Sequence, residues 1–354
     1  MQELLASSEN GKRILHIGNC DKFIPPFIEF VSSHFNFEEH DFFLTSGMAD
    51  SKIKKSEKVT LLKQRTLKGV RNVLSVLFKI HKADKVILHG LFDINLVILL
   101  CCIPWQFKKC YWVIWGGDLY SHSYDKRTIK WRLKEFFRKI AIRNFGHLVT
   151  YIHGDLELAR SWYNAKGQQH ECLMYSSNLY KEYAVPKSDN SFINIQIGNS
   201  ADPSNNHIEV LERLLPFKDE NINIYLPLSY GSTEYAQRVI TKGKLMFGEK
   251  FKPITDFMEF NEYLSFLGTI DVAIFNHKRQ QAMGNTITLL GLGKTVYLRD
   301  STAQWQFFKE KGIKVKNINE LNALDKYIST ENIKVIKDYF SEKNYLMQLR
   351  NLFS

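Results

Sequence analysis

Tyr111-Trp112-Val113-Ile114-Trp115-Gly116-Gly117-Asp118 reads as a short strand that runs into a turn. A brief run of aromatic and β-branched residues stopped by a glycine pair fits a buried strand better than a helix. The pattern recurs three times in the first half of the chain. Arg13–Ile17 leads into Gly18-Asn19-Cys20-Asp21, Val86–Leu88 into His89-Gly90-Leu91-Phe92-Asp93, and Leu148–Ile152 into His153-Gly154-Asp155. In the second half, Phe192–Ile197, Ile222–Leu226, Leu245–Phe247, Val272–Phe275 and Thr295–Leu298 read as further strands. Helical patterns such as Ile208–Leu215 and Asp256–Phe266 lie between them. Short apolar strands alternating with helices predict βαβ units and parallel sheets, an α/β architecture. Ligands of such sheets bind beyond the carboxyl ends of the strands, where these Gly/Asp turns fall.

With 354 residues the chain is long enough for two domains. The polar, proline-containing stretch Val185–Asn190 reads as the linker. It separates a first domain, residues 1–185, from a second, residues 186–354, whose last helix could pack back on the first. Two sheets facing each other across a cleft by their carboxyl edges would describe a two-domain nucleotide-sugar enzyme. At 44% hydrophobic and 24% charged, the composition excludes disordered and fibrous classes. Five cysteines, two of them adjacent at Cys101-Cys102, form no disulfide framework and no metal spacing, which points to a reducing cytoplasm. Residues 1–10 lack a secretory pattern. The most apolar window, Val86–Trp105, is broken by His89, Asp93 and Asn95, whereas a membrane span needs about 20 apolar residues.

The net charge of +11 is unevenly placed. Ser51–Lys82 holds ten Lys/Arg and one acid, and Lys126–Arg143 holds eight and one. These two segments carry more than the whole excess. In the second, Ile129, Leu133, Phe136, Phe137 and Ile140 recur at helical spacing, and Lys126, Arg127, Lys130, Arg132, Lys134, Arg138 and Lys139 occupy much of the rest. Such a helix either packs its apolar stripe on a core or lies on an anionic membrane surface. Nucleic acid is the weaker partner, because no zinc, helix-turn-helix or aromatic RNA-binding pattern accompanies the charge.

Several motifs are absent. No G-x-G-x-x-G follows the first strand, and Gly291-Leu292-Gly293-Lys294-Thr295 lacks the first glycine of a P-loop and precedes a strand. No D-x-D, H-E-x-x-H or G-x-S-x-G occurs, so no catalytic metal or other cofactor is expected. What remains is suited to a diphosphate. Gly198-Asn199-Ser200-Ala201-Asp202-Pro203-Ser204-Asn205-Asn206-His207 joins a strand to a helix. His277-Lys278-Arg279-Gln280-Gln281-Ala282-Met283-Gly284-Asn285-Thr286 does the same further on. Helix N-termini hold anions through free amides, and Arg279 adds a fixed charge with paired donors.

Trp115-Gly116-Gly117-Asp118-Leu119-Tyr120, the Gly198–His207 segment, Leu226-Pro227-Leu228-Ser229-Tyr230-Gly231 and Arg279-Gln280-Gln281 with Gly284-Asn285-Thr286 resemble the family 56 glycosyltransferases. This is the 4-alpha-L-fucosyltransferase family, which includes TDP-N-acetylfucosamine:lipid II transferases. The resemblance runs over roughly residues 13–350. It implies a GT-B fold, a TDP-sugar donor held mainly by the second half, and a polyprenyl-diphosphate-linked saccharide acceptor in the first. It also implies a peripheral enzyme on the cytoplasmic face of the bacterial inner membrane, serving enterobacterial common antigen or O-antigen synthesis.

The expected reaction is metal-independent transfer of a 4-amino-4,6-dideoxy sugar. Gly198, Asn199, Ser200, Arg279, Gln280, Gly284, Asn285 and Thr286 are the candidate diphosphate contacts, with Tyr230 and Phe251 toward the nucleoside. Asp118 is the first candidate for the base, then Asp21, with His89 and Asp155 behind. The competing readings are a GT-B-fold nucleotide-sugar 2-epimerase and a basic nucleic-acid-binding protein.

Overall fold

The computed structural model describes residues 11–54, 56–123, 128–182, 191–324, 326 and 329–354. The leader reading of residues 1–10, the cations Lys126 and Arg127, and the linker reading of residues 185–190 lie outside them. The chain divides into two compact units, Met1–Ser177 with Tyr345–Ser354, and Asn178–Asn344.

In the first unit the elements run β1 (Ile14–Asn19), α1 (Ile24–His34), β2 (His40–Thr45), β3 (Val59–Leu61), α2 (Val70–Lys82), β4 (Lys85–His89) and α3 (Ile94–Cys102). They continue with β5 (Cys110–Val113), α4 (Ile129–Asn144), β6 (His147–Val149), α5 (His153–Tyr163) and β7 (Gln168–His170). The described strands form one parallel sheet in the order β3-β2-β1-β4-β5-β6-β7. Pleating sends alternate residues of β1 to opposite faces. Leu15 and Ile17 join a core with Val76 and Ile80 of α2, Leu96, Val97 and Leu100 of α3, Ile142 of α4 and Leu156 of α5. His16 faces the other way, onto Phe27 of α1 and Phe42 of β2.

The second unit runs β8 (Ile193–Ile197), α6 (His207–Leu214), β9 (Ile222–Pro227), α7 (Thr233–Phe247), β10 (Phe251–Ile254), α8 (Phe260–Thr269) and β11 (Val272–Phe275). It closes with α9 (Met283–Gly291), β12 (Thr295–Leu298), α10 (Ala303–Glu310), β13 (Lys316–Asn317) and α11 (Thr330–Tyr339). Its parallel sheet has the order β10-β9-β8-β11-β12-β13. The last helix, α12 (Glu342–Phe353), carries the chain back into the first unit. There the Tyr345 hydroxyl donates to the Met174 carbonyl at 2.7 Å, and Phe353 meets Phe35 and His40 edge-on.

The expected α/β class is present, but one strand is misplaced. Leu245–Phe247 is the last turn of α7, and the strand starts only at Phe251. Three apolar residues in a row do not separate a strand from a helix end. The basic segment Ser51–Lys82 spans several elements. It holds β3 and a loop, and only Arg71, Lys79 and Lys82 of its cations sit on α2.

The apolar stripe of α4 turns out to be split. Ile129, Leu133 and Phe136 are 87%, 60% and 59% exposed, while Phe137 and Ile140 pack against the core. The buried side of the helix carries Arg138, which sequence periodicity had placed on the outside. Its guanidinium donates to the Leu91 and Asp118 carbonyls and pairs with Glu135 at 3.3 Å. A buried guanidinium is tolerable because carbonyls and a carboxylate surround it. On α2, Val70, Leu74 and Phe78 form a second exposed row, 76%, 60% and 59% accessible. Both helices pack on the same core cluster, so both rows face away from the same side of the sheet. No helix among the described residues is long and apolar enough to cross a membrane.

Candidate functional site

Each sheet has one point where the strand order reverses. In the first unit it lies between β1 and β4, in the second between β8 and β11. Crevices at such points are where open α/β sheets take ligands.

In the first unit the two loops concerned are Gly18–Asp21 and His89–Asp93, and their carboxylates and imidazole do different work. Asp118, the first-choice base, is 1% exposed. Its Oδ2 accepts from the Leu91 amide at 3.0 Å and Trp112 Nε1 at 2.7 Å, and its Oδ1 from the Trp115 and Leu119 amides at 3.0 and 2.9 Å. Four N–H donors occupy both oxygens, so Asp118 ties the β4 and β5 loops together and is not placed as a base. Asp155 is equally buried and accepts from the Tyr120 hydroxyl at 2.9 Å. Asp93 caps α3 and also accepts from the Leu67 amide. Asp21 differs. Its Oδ1 is buried and has no hydrogen-bond partner.

His89 is not available either. It lies in a buried chain of side chains that crosses the sheet from β2 to β4. His40 Nδ1 meets His16 Nε2 at 2.9 Å, His16 Nδ1 meets His89 Nε2 at 3.0 Å, and His89 Nδ1 meets the Tyr175 hydroxyl at 2.7 Å. Trp115 Nε1 donates to that hydroxyl at 2.8 Å. Indole can only donate, so the Tyr175 oxygen accepts from Trp115. Burial pushes His89 down to about 3 and His40 down to about 4, which keeps the imidazoles neutral. Both His89 nitrogens are spent, Nδ1 on the Tyr175 hydroxyl and Nε2 on His16.

Tyr175, Trp115 and Phe23 form an aromatic shelf with ring centroids 5.1–5.8 Å apart, and Phe92 meets Trp115 at 5.7 Å. Asp21 lies two residues before Phe23 in the turn after β1, which puts its unpartnered Oδ1 near the shelf. Aromatic rings packed edge to face next to a carboxylate are a shape that takes a sugar ring. Trp115 was visible in its motif, but nothing in the sequence joined it to Phe23 and Tyr175.

In the second unit the loops after β8 and β11 are stapled together. His277 Nε2 meets Asn205 Oδ1 at 2.8 Å, Ser204 Oγ meets Gln281 Oε1 at 3.0 Å, and Asn206 Nδ2 donates to the Asn276 carbonyl at 2.8 Å. Gly198 sits at φ +65, and a Cβ there would lie 2.5 Å from His207 Nε2. Asn199 Nδ2 meets the half-exposed Tyr230 hydroxyl at 3.2 Å. Buried polar atoms without partners gather here: Asn199 Oδ1, His207 Nε2 and His277 Nδ1. Leaving such atoms unpaired costs about 1–3 kcal/mol each, so their concentration marks a place built for a polar ligand.

The helices that start at this point are unusual as well. Side chains cap α3, α4, α7, α10 and α11, while α1, α2, α5 and α8 start without one. α6 and α9 also lack a side-chain cap, and they stand apart by beginning at Asn206 and Ala282, both left-handed (φ +51 and +57). An alanine held left-handed is strained. At α9 the uncapped turn contains Gly284 and Asn285, both half-buried, and follows half-buried Arg279 and Gln280. The Arg279 guanidinium is turned onto the Gln280 carbonyl at 3.3 Å. Asn285 bonds Tyr263.

Three expected contacts have other roles. The Thr286 hydroxyl is fully buried, donates to the Ala282 carbonyl and accepts from Gln304 Nε2, both at 3.0 Å. Phe251 begins β10, at the end of the sheet away from the crevice, and its ring lies over Gly243 of α7. Ser200 is 3% exposed and meets Asn205 Nδ2 at 3.3 Å, so it supports the loop from behind.

The family described as "4-alpha-L-fucosyltransferase glycosyl transferase group 56" matches residues 27–338. The chain belongs to glycosyltransferase group 56. It is a glycosyltransferase, with a nucleotide-sugar donor and an acceptor as its substrates. Among solved structures it is similar to a glycosyltransferase from Rickettsia africae, at 13% identity and TM-score 0.65, over 97% of this chain and 98% of that one. It is also similar to WaaG, a glycosyltransferase involved in lipopolysaccharide biosynthesis, at 10% identity and TM-score 0.55, over 96% and 93%. A UDP-N-acetylglucosamine 2-epimerase from Listeria monocytogenes shares the fold at 14% identity and TM-score 0.50, over 96% and 90%. The fold is therefore GT-B, and what separates transferase from epimerase is the family.

Proposed function

We propose that this group 56 enzyme moves a 4-amino-4,6-dideoxy sugar from a TDP-sugar to a polyprenyl-diphosphate-linked saccharide. The setting is the cytoplasmic face of the bacterial inner membrane, in synthesis of enterobacterial common antigen or O-antigen. The observation that carries the division of roles is the pair of switch points. One offers a carboxylate oxygen without a partner beside an aromatic shelf; the other offers an arginine and an uncapped helix start.

In this reading Asp21 takes the proton of the acceptor hydroxyl. The acceptor oxygen bonds to the anomeric carbon as the bond from that carbon to the diphosphate oxygen breaks. TDP leaves with the bonding electron pair, and Arg279 with the α9 amides neutralises the charge that develops on it. Gly198 and Gly284 let the backbone approach the diphosphate, Asn199 and Gln280 flank it, and Tyr230 lies toward the nucleoside. The reaction proceeds without a metal ion. The exposed rows of α2 and α4, interleaved with lysine and arginine, support attachment to an anionic bilayer, where a polyprenyl acceptor resides.

The test is incubation of the full chain with a TDP-sugar and an undecaprenyl-diphosphate saccharide. The expected result is TDP release that requires the lipid, with the sugar recovered on the lipid and no loss of rate in EDTA. TDP release at the same rate without the lipid would count against transfer.

A further inference from the structure

Below the amino-terminal edge of the first sheet lies a cavity of about 320 Å³, at the opposite end of the strands from Asp21. β1 separates the two places by its six residues, about 20 Å. Arg13, Lys58, Lys79 and Lys82 line the cavity, with Asp41 as the carboxylate facing them and Phe78 at one side. Lys58 pairs with Glu38 at 3.1 Å and Lys79 with Asp41 at 3.8 Å, which leaves the cavity with a net positive charge from Arg13 and Lys82.

The lysines are not needed to finish α2. Lys109 reaches the carbonyls at the end of that helix, donating to His81 and Ala83 at 3.3 and 2.6 Å. Lys79 stands 3.8 Å from Asp41, and the Lys82 ammonium sits 4.2 Å above the Phe78 ring. Phe78 belongs to the exposed row Val70, Leu74, Phe78, and Lys82 continues that row at the same four-residue spacing. An apolar row thus ends in a cation at the mouth of a basic cavity. That is the order of chemistry met on going from acyl chains to a phosphate headgroup.

We propose that this cavity seats the phosphate of an anionic phospholipid headgroup while the α2 row lies among the adjoining acyl chains. The proposal rests on the membrane reading given above and adds to it a discrete lipid site distinct from the acceptor site. α2 lies along the sheet, so a helix held at its Lys82 end keeps its Val70 end at the bilayer too. Val70 is on the side of the carboxyl edge, where the acceptor is handled.

The experiment is co-sedimentation of the full chain with phosphatidylcholine vesicles, with and without phosphatidylglycerol. The Lys79→Gln/Lys82→Gln variant is compared with Lys134→Gln/Lys139→Gln, which removes two charges from α4. Wild type is expected to prefer phosphatidylglycerol. The α2 variant should lose about 30-fold in that preference, from about fivefold per lysine near an anionic surface, and the α4 variant clearly less. Lys79→Arg/Lys82→Arg should restore binding, which separates lost charge from lost folding. Equal losses in the α2 and α4 variants would overturn the site and leave the membrane reading standing. No binding of wild type to either vesicle would overturn both. Saturable binding of glycerol 3-phosphate without vesicles, abolished by Lys79→Gln/Lys82→Gln, alongside vesicle binding that ignores phosphatidylglycerol, would assign the cavity to a soluble phosphate instead.

Discussion

The two switch points are built on the same plan and filled with opposite chemistry. In the first unit Asp93 caps α3, Asp118 is saturated by N–H donors, and one oxygen of Asp21 is left over. In the second unit the side chains are tied to each other across the loops after β8 and β11, and two helix starts are left without caps. A spare acceptor suits a substrate that gives up a proton. Spare donors suit a substrate that gains charge. The fold supplies the place, and what is left unsatisfied there supplies the role.

If that contrast is right, removing the spare groups should hurt turnover, while removing the saturated ones should hurt stability. The largest effect is expected for Asp21→Asn, about 10²–10⁴-fold in kcat by the usual worth of a general base, with the unfolding temperature unchanged. Arg279→Ala should cost about 30–100-fold in kcat/KM, shared between a raised donor KM and a lowered kcat, as for a charge-assisted contact that strengthens as the diphosphate leaves. Asp118→Asn inverts the pattern. An amide nitrogen would face N–H donors that now meet a carboxylate oxygen, so thermal denaturation should show a loss of about 2–4 kcal/mol. Wild-type stability with abolished turnover in Asp118→Asn would reverse the roles given to Asp118 and Asp21.

The smallest effect concerns pH. His16, His40 and His89 are held neutral by burial, with folded pKa values below the ordinary 6.5. The unfolded chain takes up protons there that the folded chain refuses. Stability is therefore full above pH 6.5 and falls as pH drops toward the folded values of about 3–4 for His89 and His40. The slope is up to about 1.4 kcal/mol per pH unit for each such histidine. His16→Phe should flatten that slope in denaturant unfolding followed from pH 7 to about 5.

Much of this was legible in the sequence, and what was not has identifiable causes. The strand-end turns at Gly18–Asp21, His89–Asp93, Trp115–Asp118 and Gly198–Ser200 announced the α/β class and the loops at the carboxyl ends of the strands. Asp118 misled because Gly-Asp after a strand looks the same whether the carboxylate faces substrate or the amides of a neighbouring loop. Its donors come from Leu91 and Trp112 as well as from its own turn, contacts that only the fold creates. The α4 stripe misled in the other direction. Periodicity marks a face as apolar, but Arg138 on the inside shows that the buried face of a helix is chosen by the neighbours it meets. Phe251 and Thr286 carried the right chemistry for a site and were taken by packing over Gly243 and by the start of α9.

The most direct test compares donor binding with turnover in Asp21→Asn and Arg279→Ala. TDP is titrated calorimetrically into each, and lipid-dependent transfer is measured alongside. The account predicts wild-type TDP affinity with lost turnover in Asp21→Asn, and weakened TDP affinity in Arg279→Ala. Weakened TDP binding in Asp21→Asn, or full turnover in it, would contradict the assignment of the two switch points to acceptor and donor.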